Sequence, residues 1–179
     1  MSEPLLQPTP RVALVVRDAF PLEHHWVGTL TVAAYRALPG EALSDGYASV
    51  LADADSRAAG GPLLVAVAGG EPVGAVSLVL DERSALSEGL EEGEAGIRML
   101  AVDPERWGLG AGRALVEACL ERARAAGKHR VVLHSTEWMT RAHGLYLRSG
   151  FVRTPARDVE VAPGFVLLCF VAPLDVGAS

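Results

Sequence analysis

Three glycines at alternate positions, Gly108, Gly110 and Gly112, separate a short apolar run from an amphipathic one. The apolar run, residues 97–102, is typical of a buried strand, and Pro104 favours a turn directly after it. A helix that begins at such a loop presents backbone N–H groups without intrahelical partners, and its dipole favours an anion there. Because glycine lets a ligand approach the backbone closely, the segment predicts a site for a pyrophosphate-bearing cofactor.

Two common nucleotide-binding loops do not fit this segment. A P-loop requires a lysine directly after its glycines, whereas the single lysine of the chain, Lys128, lies far beyond them. A dinucleotide-binding loop requires Gly-x-Gly-x-x-Gly, and here the third glycine, Gly112, comes one residue too early. The glycines therefore favour a different class of pyrophosphate ligand.

A second motif, Ala-x-x-Leu-Tyr-x-x-x-Gly-Phe, extends from Ala142 to Phe151. In this order the two motifs resemble those of the GNAT superfamily of N-acetyltransferases, especially bacterial members without an assigned substrate. In that family's Arg/Gln-x-x-Gly-x-Gly/Ala pattern, the two small positions fall on Gly110 and Gly112. The basic position falls on Trp107, with Arg106 one residue earlier. The resemblance covers residues 60–158 with specific motifs and the preceding third of the chain more loosely.

The resemblance implies an α/β fold: a GNAT-like mixed, mostly antiparallel central sheet with splayed parallel strands, flanked by about four helices. Hydrophobic periodicity predicts the same order of elements. Strands are expected at 11–16, 63–68, 72–80, 95–102, 130–135, 151–154 and 165–171, and helices at 21–37, 43–58, 110–126 and 139–148. We expect one domain over residues 10–173, between flexible tails at residues 1–9 and 174–179.

Acetyl-CoA is the cosubstrate that the resemblance implies. Its pantetheine arm would pair with backbone groups of the strand that precedes the glycine loop, where a splayed strand leaves N–H and C=O groups without partners. The cofactor-binding residues expected from this likeness are Leu100, Ala101, Val102, Trp107, Gly108, Leu109, Gly110, Ala111, Gly112, Arg113, His143 and Tyr146. Trp26, Tyr35 and Tyr47 belong to the N-terminal region that borders the acceptor groove in the family.

Tyr146 is the expected general acid for the leaving CoA thiolate, because a phenol is protonated at pH 7. On residue pattern alone it is equally a core aromatic of its helix. An amine acceptor also needs a base, and Glu94, at the start of the cofactor strand, is the first candidate. His134, near the end of the next strand, and a water relay are the alternatives.

Composition limits the possible partners of the chain. A net charge of −6 over 179 residues offers no basic stripe for nucleic acid and is compatible with a cationic amine acceptor. With no signal peptide and no long apolar span, we expect a cytoplasmic protein with reduced cysteines and no membrane contact. His24 and His25 lack the further ligands that a metal site requires, so none is expected.

Two functions remain open at this stage. The first is acetyl transfer from acetyl-CoA to an amine, on a small molecule or a protein, by direct attack on the thioester. The second is a non-catalytic acyl-CoA-binding or regulatory module on the same fold. A homodimer is also possible, supported by the apolar strand expected at 165–171.

Overall fold

The computed structural model describes residues 13–38, 40 and 43–175 of the chain. Its helices are α1 (His24–Arg36), α2 (Asp45–Ala52), α3 (Ala54–Ala59), α4 (Ala111–Ala125) and α5 (Thr140–Arg148). Its strands are β1 (Leu14–Asp18), β2 (Leu63–Ala68), β3 (Glu71–Val79), β4 (Glu94–Val102), β5 (Arg130–Thr136), β6 (Val152–Arg153), β7 (Val159–Ala162) and β8 (Phe165–Pro173).

The strands form one mixed sheet in the order β1-β2-β3-β4-β5-β8-β6, with β7 also paired to β8. Every pair is antiparallel except β4–β5, which is parallel and joined only over Glu94–Gly96 and Arg130–Val132. Beyond those residues the two strands diverge, although both continue. The predicted fold, a mostly antiparallel sheet with splayed parallel strands, is confirmed.

Helices cover both faces of the sheet. On one face, Leu115, Val116 and Cys119 of α4 pack with the larger core cluster, which includes Leu64 and Leu78. On the other face, α1 and α3 bury side chains against β2 and β3 in a second cluster around Val27, Leu30, Ala54, Val65 and Ala75. The sheet therefore lies between two packed layers of helices.

The second predicted helix is the main difference from the expected elements. It divides at Asp53, whose φ of −80° and ψ of 74° are not helical, so the described chain has five helices rather than about four. The Asp53 carboxylate accepts hydrogen bonds from the Ser56 N–H and hydroxyl at 3.0 and 2.6 Å, and this cap begins α3. Local capping here overrides an Ala-rich helical pattern.

Strand β7 was not predicted, because all four of its residues are exposed and so short an edge strand carries little hydrophobic signal. At the C-terminus, Leu174 was assigned to a flexible tail, yet it is buried and donates its N–H to the His129 carbonyl at 2.8 Å. The ordered domain therefore extends past residue 173. The predicted tail at residues 1–9 and the start of the first predicted strand lie outside the described residues, as do residues 176–179.

Candidate active site

A groove of 480 Å³ opens at the diverging end of β4, beside the glycine loop. Ten of the predicted cofactor-binding residues line it: Leu100, Ala101, Val102, Trp107, Gly108, Gly110, Ala111, Gly112, Arg113 and Tyr146. Sequence motifs that are distant in the chain therefore meet in one groove, between β4, α4 and α5.

The glycine loop ends in an open helix N-terminus. Gly110 is the residue before α4, with a φ of +86°, and no atom lies within 4 Å of the position that its Cβ would take. No side chain caps the helix, so the first-turn N–H groups face the loop without a side-chain acceptor. This geometry fits a phosphate group, which would accept hydrogen bonds from those donors.

Arginines supply the positive charge of the groove. Arg106, Arg113, Arg141 and Arg148 all line it, and the last two were not predicted. Trp107 stands at the family's basic position, and the guanidinium of Arg141 lies over its ring, 4.8 Å from the centroid. The Trp107 indole N–H also donates to the Val102 carbonyl at 3.2 Å. A tryptophan here thus holds an arginine from α5 at the groove, a pairing that no sequence spacing indicates.

Tyr146 lies deep in the same groove. Its ring packs against Phe151 and Phe170, with centroids 5.9 and 5.8 Å apart, and only 5% of the residue is exposed. Burial raises the pKa of the Tyr146 phenol, so the hydroxyl stays protonated at pH 7. Tyr146 is thus a core aromatic that also lines the groove, and its role as the general acid stays a prediction.

A second cavity, of 720 Å³, adjoins the groove. Tyr35, Leu38, Trp138 and Met139 line both spaces and form their common wall. Between them β4 carries a bulge, where Met99 and Leu100 together lie opposite Val76, and Met99 has a φ of +52°. Two neighbouring spaces with a common wall thus lie at the diverging end of β4 and β5, with the bulge residues Met99 and Leu100 lining one space each.

His134 lines the second cavity from β5. Its Nε2 is 3.2 Å from the Arg157 carbonyl, and burial lowers the pKa of the imidazole. A neutral ring that donates Nε2–H to this carbonyl keeps Nδ1 unprotonated. The expected acceptor-side residues Tyr35 and Tyr47 also line this cavity, whereas Trp26 packs against the core cluster around Val27.

Glu94 lies at the opposite, paired end of β4 and lines neither space. It is fully buried, and its carboxylate accepts hydrogen bonds from Arg130 and, at 2.7 and 2.9 Å, from Arg157. Burial alone would raise the pKa of this carboxyl, but hydrogen bonds from Arg157, the Glu91 N–H and Arg130 lower it to about 2. Glu94 is thus the centre of an ion-pair cluster in which guanidinium groups donate to both of its oxygens.

Two further predicted residues lie off the groove wall. Leu109 is 45% exposed and does not line the groove. His143 faces β5 instead, where its Nε2 lies 2.9 Å from the Thr136 carbonyl and 3.2 Å from the Ser135 hydroxyl. His143 therefore fixes α5 to β5, although the motif had suggested a cofactor contact.

Residues 27–151 match the model of the acetyltransferase (GNAT) family. The chain belongs to this family. That assignment confirms the predicted superfamily and the acyltransferase class to which it belongs, and the motifs on the groove wall are those on which the prediction was based.

Individual proteins that are similar to this GNAT domain share about a fifth to a third of its aligned residues. The mycothiol acetyltransferase of Cellulomonas flavigena is 35% identical over 141 residues, which is 78% of this chain and 36% of that protein. The chain thus spans little more than a third of that relative. Two solved structures share the fold: yncA of Salmonella typhimurium with its cofactor acetyl-CoA (21% identity, TM-score 0.66, 93% and 97% of the two chains) and a GCN5-related N-acetyltransferase of Kribbella flavida (22%, 0.69, 90% and 98%).

One acidic residue in the lining of the second cavity of this GNAT domain was not predicted from the sequence. Glu88 lines the second cavity from the β3–β4 loop, within an acidic stretch whose sequence is typical of a solvated surface.

None of the helices in the described ranges has the length and the apolar composition that a membrane span requires. In the same residues, no three His, Cys, Asp or Glu side chains are grouped as metal ligands.

Proposed function

We propose that this protein transfers an acetyl group from acetyl-CoA to an amine, by direct attack of the amine on the thioester. The observation that carries the proposal is the common wall between the groove and the second cavity. A thioester at the end of the groove would face an acceptor held in the cavity, so both reactants would meet at the β4 bulge.

The groove fits the proposed cosubstrate at both of its ends. The α4 N-terminus and the surrounding arginines suit a pyrophosphate, and the backbone of Leu100 to Val102 suits the amides of a pantetheine arm. Acetyl-CoA would supply the activated acetyl group. A backbone N–H near Leu100, beside the bulge, is the candidate donor to the thioester oxygen as negative charge develops there.

Tyr146 and His134 are the proposed acid and base. Tyr146 would deliver its phenolic proton to the departing CoA sulfur as the carbon–sulfur bond breaks. His134 would receive, directly or through one water, the proton that the acceptor nitrogen releases as its bond to the acetyl carbon forms. Glu94, the first candidate base, is instead proposed to have a structural role, because two guanidinium groups occupy both of its oxygens.

Ligand-dependent stability separates this proposal from the alternatives. We expect acetyl-CoA at a hundred times its dissociation constant to stabilise the protein by about 2.7 kcal/mol, visible as a raised melting temperature, whereas NAD and ATP do not. Release of CoA thiol with an amine present would then establish transfer. A shift with acetyl-CoA but no release with any amine would favour the non-catalytic acyl-CoA-binding module, and no shift would overturn both.

The homodimer stays a prediction. Strand β8 is hydrogen-bonded on both edges, to β5 on one side and to β6 and β7 on the other, so its backbone cannot pair with a second copy. Exposed valines beside it, Val152 and Val159, are the apolar surface that such a dimer would use. Light scattering on the purified chain measures this directly.

A further inference from the structure

We propose that the acceptor is a primary amine on an aromatic or branched aliphatic body, with no carboxylate beside the nitrogen, and that Glu88 binds its ammonium group. This group would release one proton to solvent before the free amine attacks, and His134 would receive the second proton as the amide forms. This inference rests on the proposed acetyl transfer and narrows it to one class of substrate. It comes from the walls of the second cavity, from its charges and from the backbone that holds Glu88.

The walls of the cavity are mainly apolar and aromatic. Trp138 and Phe165 stack with centroids 5.5 Å apart, and Tyr35 and Tyr47 meet edge to face at 6.2 Å. Aliphatic side chains complete the lining: Leu38, Leu43, Ile97, Met99, Val159, Val161 and Leu167. Such walls favour an apolar body that loses water contact on binding, since burial of apolar surface supplies the affinity.

Among the described residues that line the cavity, Glu88 is the one acidic residue and Arg98 the one arginine. Arg98 is 6% exposed and donates to four backbone carbonyls, those of Leu86 at 3.1 Å, Ser87 at 2.7 Å, Ile97 at 3.0 Å and Val132 at 3.4 Å. Four of its five N–H groups are thus engaged by the protein itself.

The Glu88 carboxylate, unlike the Arg98 guanidinium, has most of its hydrogen-bonding capacity free. It lies 3.2 Å from the Arg98 Nε and its side chain is 54% exposed, and it accepts no hydrogen bond from any described residue. An ammonium group brings three donors to such a carboxylate, and a charge-assisted hydrogen bond is stronger than a neutral one. A ligand carboxylate would find at most one free Arg98 N–H and would be repelled by Glu88.

Backbone strain marks the same place. Glu88, with a φ of +44°, and Met99, with a φ of +52°, are the two non-glycine residues with positive φ in the described chain, and both line this cavity. Such conformations persist where the surrounding structure holds them, and they concentrate at functional sites. Here Arg98 holds the carbonyls of Leu86 and Ser87, the two residues before Glu88, and so fixes the carboxylate at the cavity.

Matched acceptor pairs test the inference. Wild type, Glu88→Gln and Glu92→Gln are assayed for CoA release with phenethylamine against phenylalanine, isoamylamine against leucine, and an alanyl peptide. Glu92 is the control, because it is an exposed carboxylate of the same acidic stretch that lines neither space. The dissociation constant for acetyl-CoA is measured by calorimetry in all three proteins.

We expect kcat/KM to be about tenfold or more higher for each amine than for its amino acid or for the peptide, since a charge-assisted hydrogen bond contributes that much. Glu88→Gln should raise KM for the amines by about tenfold with a smaller change in kcat, while Glu92→Gln matches wild type. Acetyl-CoA affinity should be equal in all three proteins.

Three outcomes would contradict the inference. Acetyl-CoA binding with transfer to the amino acids or the peptide, or to none of these acceptors, overturns the substrate class and leaves the proposed function standing. An unchanged KM in folded Glu88→Gln overturns the role of that carboxylate. Absence of acetyl-CoA binding overturns the proposed function itself, and this inference with it.

Discussion

The two ends of the parallel pair β4–β5 place glutamates in opposite environments. At the paired end, Glu94 is fully buried and receives hydrogen bonds from Arg130 and Arg157, which occupy both oxygens. At the diverging end, Glu88 faces a cavity beside one guanidinium whose donors are mostly engaged by backbone carbonyls. Strand pairing is complete at one end and absent at the other, and the chemistry follows that difference.

A charged side chain can contribute to folding or to ligand binding, depending on whether its hydrogen-bonding capacity is used within the protein. Glu94 uses its capacity internally, which ties the loop after β6 to the start of β4. Glu88 is ion-paired with Arg98 at 3.2 Å and accepts no hydrogen bond from the described residues, so most of its capacity remains. If this contrast is correct, changes at the diverging end reduce activity and leave stability nearly unchanged, whereas changes at the paired end do the reverse.

The largest expected effect lies at the diverging end. Tyr146→Phe removes the proposed acid and keeps the buried ring, so kcat should fall by about 10²- to 10⁴-fold. Turnover is followed by release of CoA thiol. The dissociation constant of acetyl-CoA, measured by calorimetry, should stay within about threefold, or about 0.7 kcal/mol, of wild type. Full turnover in a folded variant would remove Tyr146 from the mechanism.

At the paired end, Glu94→Gln should lower the free energy of unfolding by about 3 kcal/mol, because it removes the buried anion that Arg130 and Arg157 share and leaves them only the exposed carboxylate of Glu91. Urea denaturation measures this. The matched variant Glu88→Gln, with the same chemical change at the diverging end, should cost about 1 kcal/mol or less. Equal losses in the two variants would end the distinction between a structural and a functional glutamate.

The same ion pairs predict a pH dependence of stability. Because the folded-state pKa of Glu94 is lowered from 4.5 to about 2, its contribution is fully present above pH 4.5 and is lost as the pH falls towards 2. We expect the unfolding free energy of wild type to fall by about 3 kcal/mol more than that of Glu94→Gln over this window. Parallel pH profiles of the two proteins would contradict the assignment.

The glycine loop gives a smaller effect on cofactor binding. Gly110→Ala places a side chain at a φ of +86° beside the open helix N-terminus, and we expect about a tenfold higher dissociation constant for acetyl-CoA. Gly127→Ala is the control, since Gly127 follows the other end of α4, has a φ of +72° and is equally open. Gly127→Ala should lower the free energy of unfolding by a similar amount and leave the affinity for acetyl-CoA unchanged. Equal affinity in both variants would mean that the loop binds no phosphate.

The smallest expected effect is on acetyl-CoA affinity at Trp107, the tryptophan that stands at the family's basic position. Trp107→Ala removes the ring beneath Arg141, and a cation–π contact at an exposed site contributes about 0.5–1 kcal/mol. Acetyl-CoA should therefore bind about threefold more weakly. Trp107→Phe retains a ring and should stay near wild type. If Trp107→Phe is as weak as Trp107→Ala, the hydrogen bond to Val102 matters more than the ring.

Much of this arrangement was predictable from local pattern. The glycine loop, the strand before it and the helix after it lie where periodicity placed them, because backbone freedom and hydrophobic spacing act over a few residues. Tyr146 was predictable as a groove residue from its motif. The division of the second helix was not, because a single capping side chain, Asp53, outweighs the helical preference of its neighbours.

The roles of the charged residues were less predictable from local pattern. Glu88 and Glu94 belong to one acidic stretch. The sequence pattern placed only Glu94, at the start of a strand, and it did not indicate the partners that packing brings to either carboxylate. Arg157 lies 63 residues from Glu94, and Arg141 reaches Trp107 from another helix. For His143, the motif suggested a contact with the cofactor, whereas in the structure its ring lies within hydrogen-bond distance of Ser135 and Thr136 on β5.

The sequence by itself thus determined the family, most of the order of the elements and the position of the glycine loop before α4, because each depends on glycine geometry and short-range hydrophobic spacing. Only the tertiary structure decided which carboxylate is buried in an ion-pair cluster and which one faces a cavity. It also decided that the splayed strands leave two spaces with a common wall. The physical reason is that burial, the pKa of a carboxyl and hydrogen-bond saturation depend on residues brought together by packing, which sequence spacing does not encode.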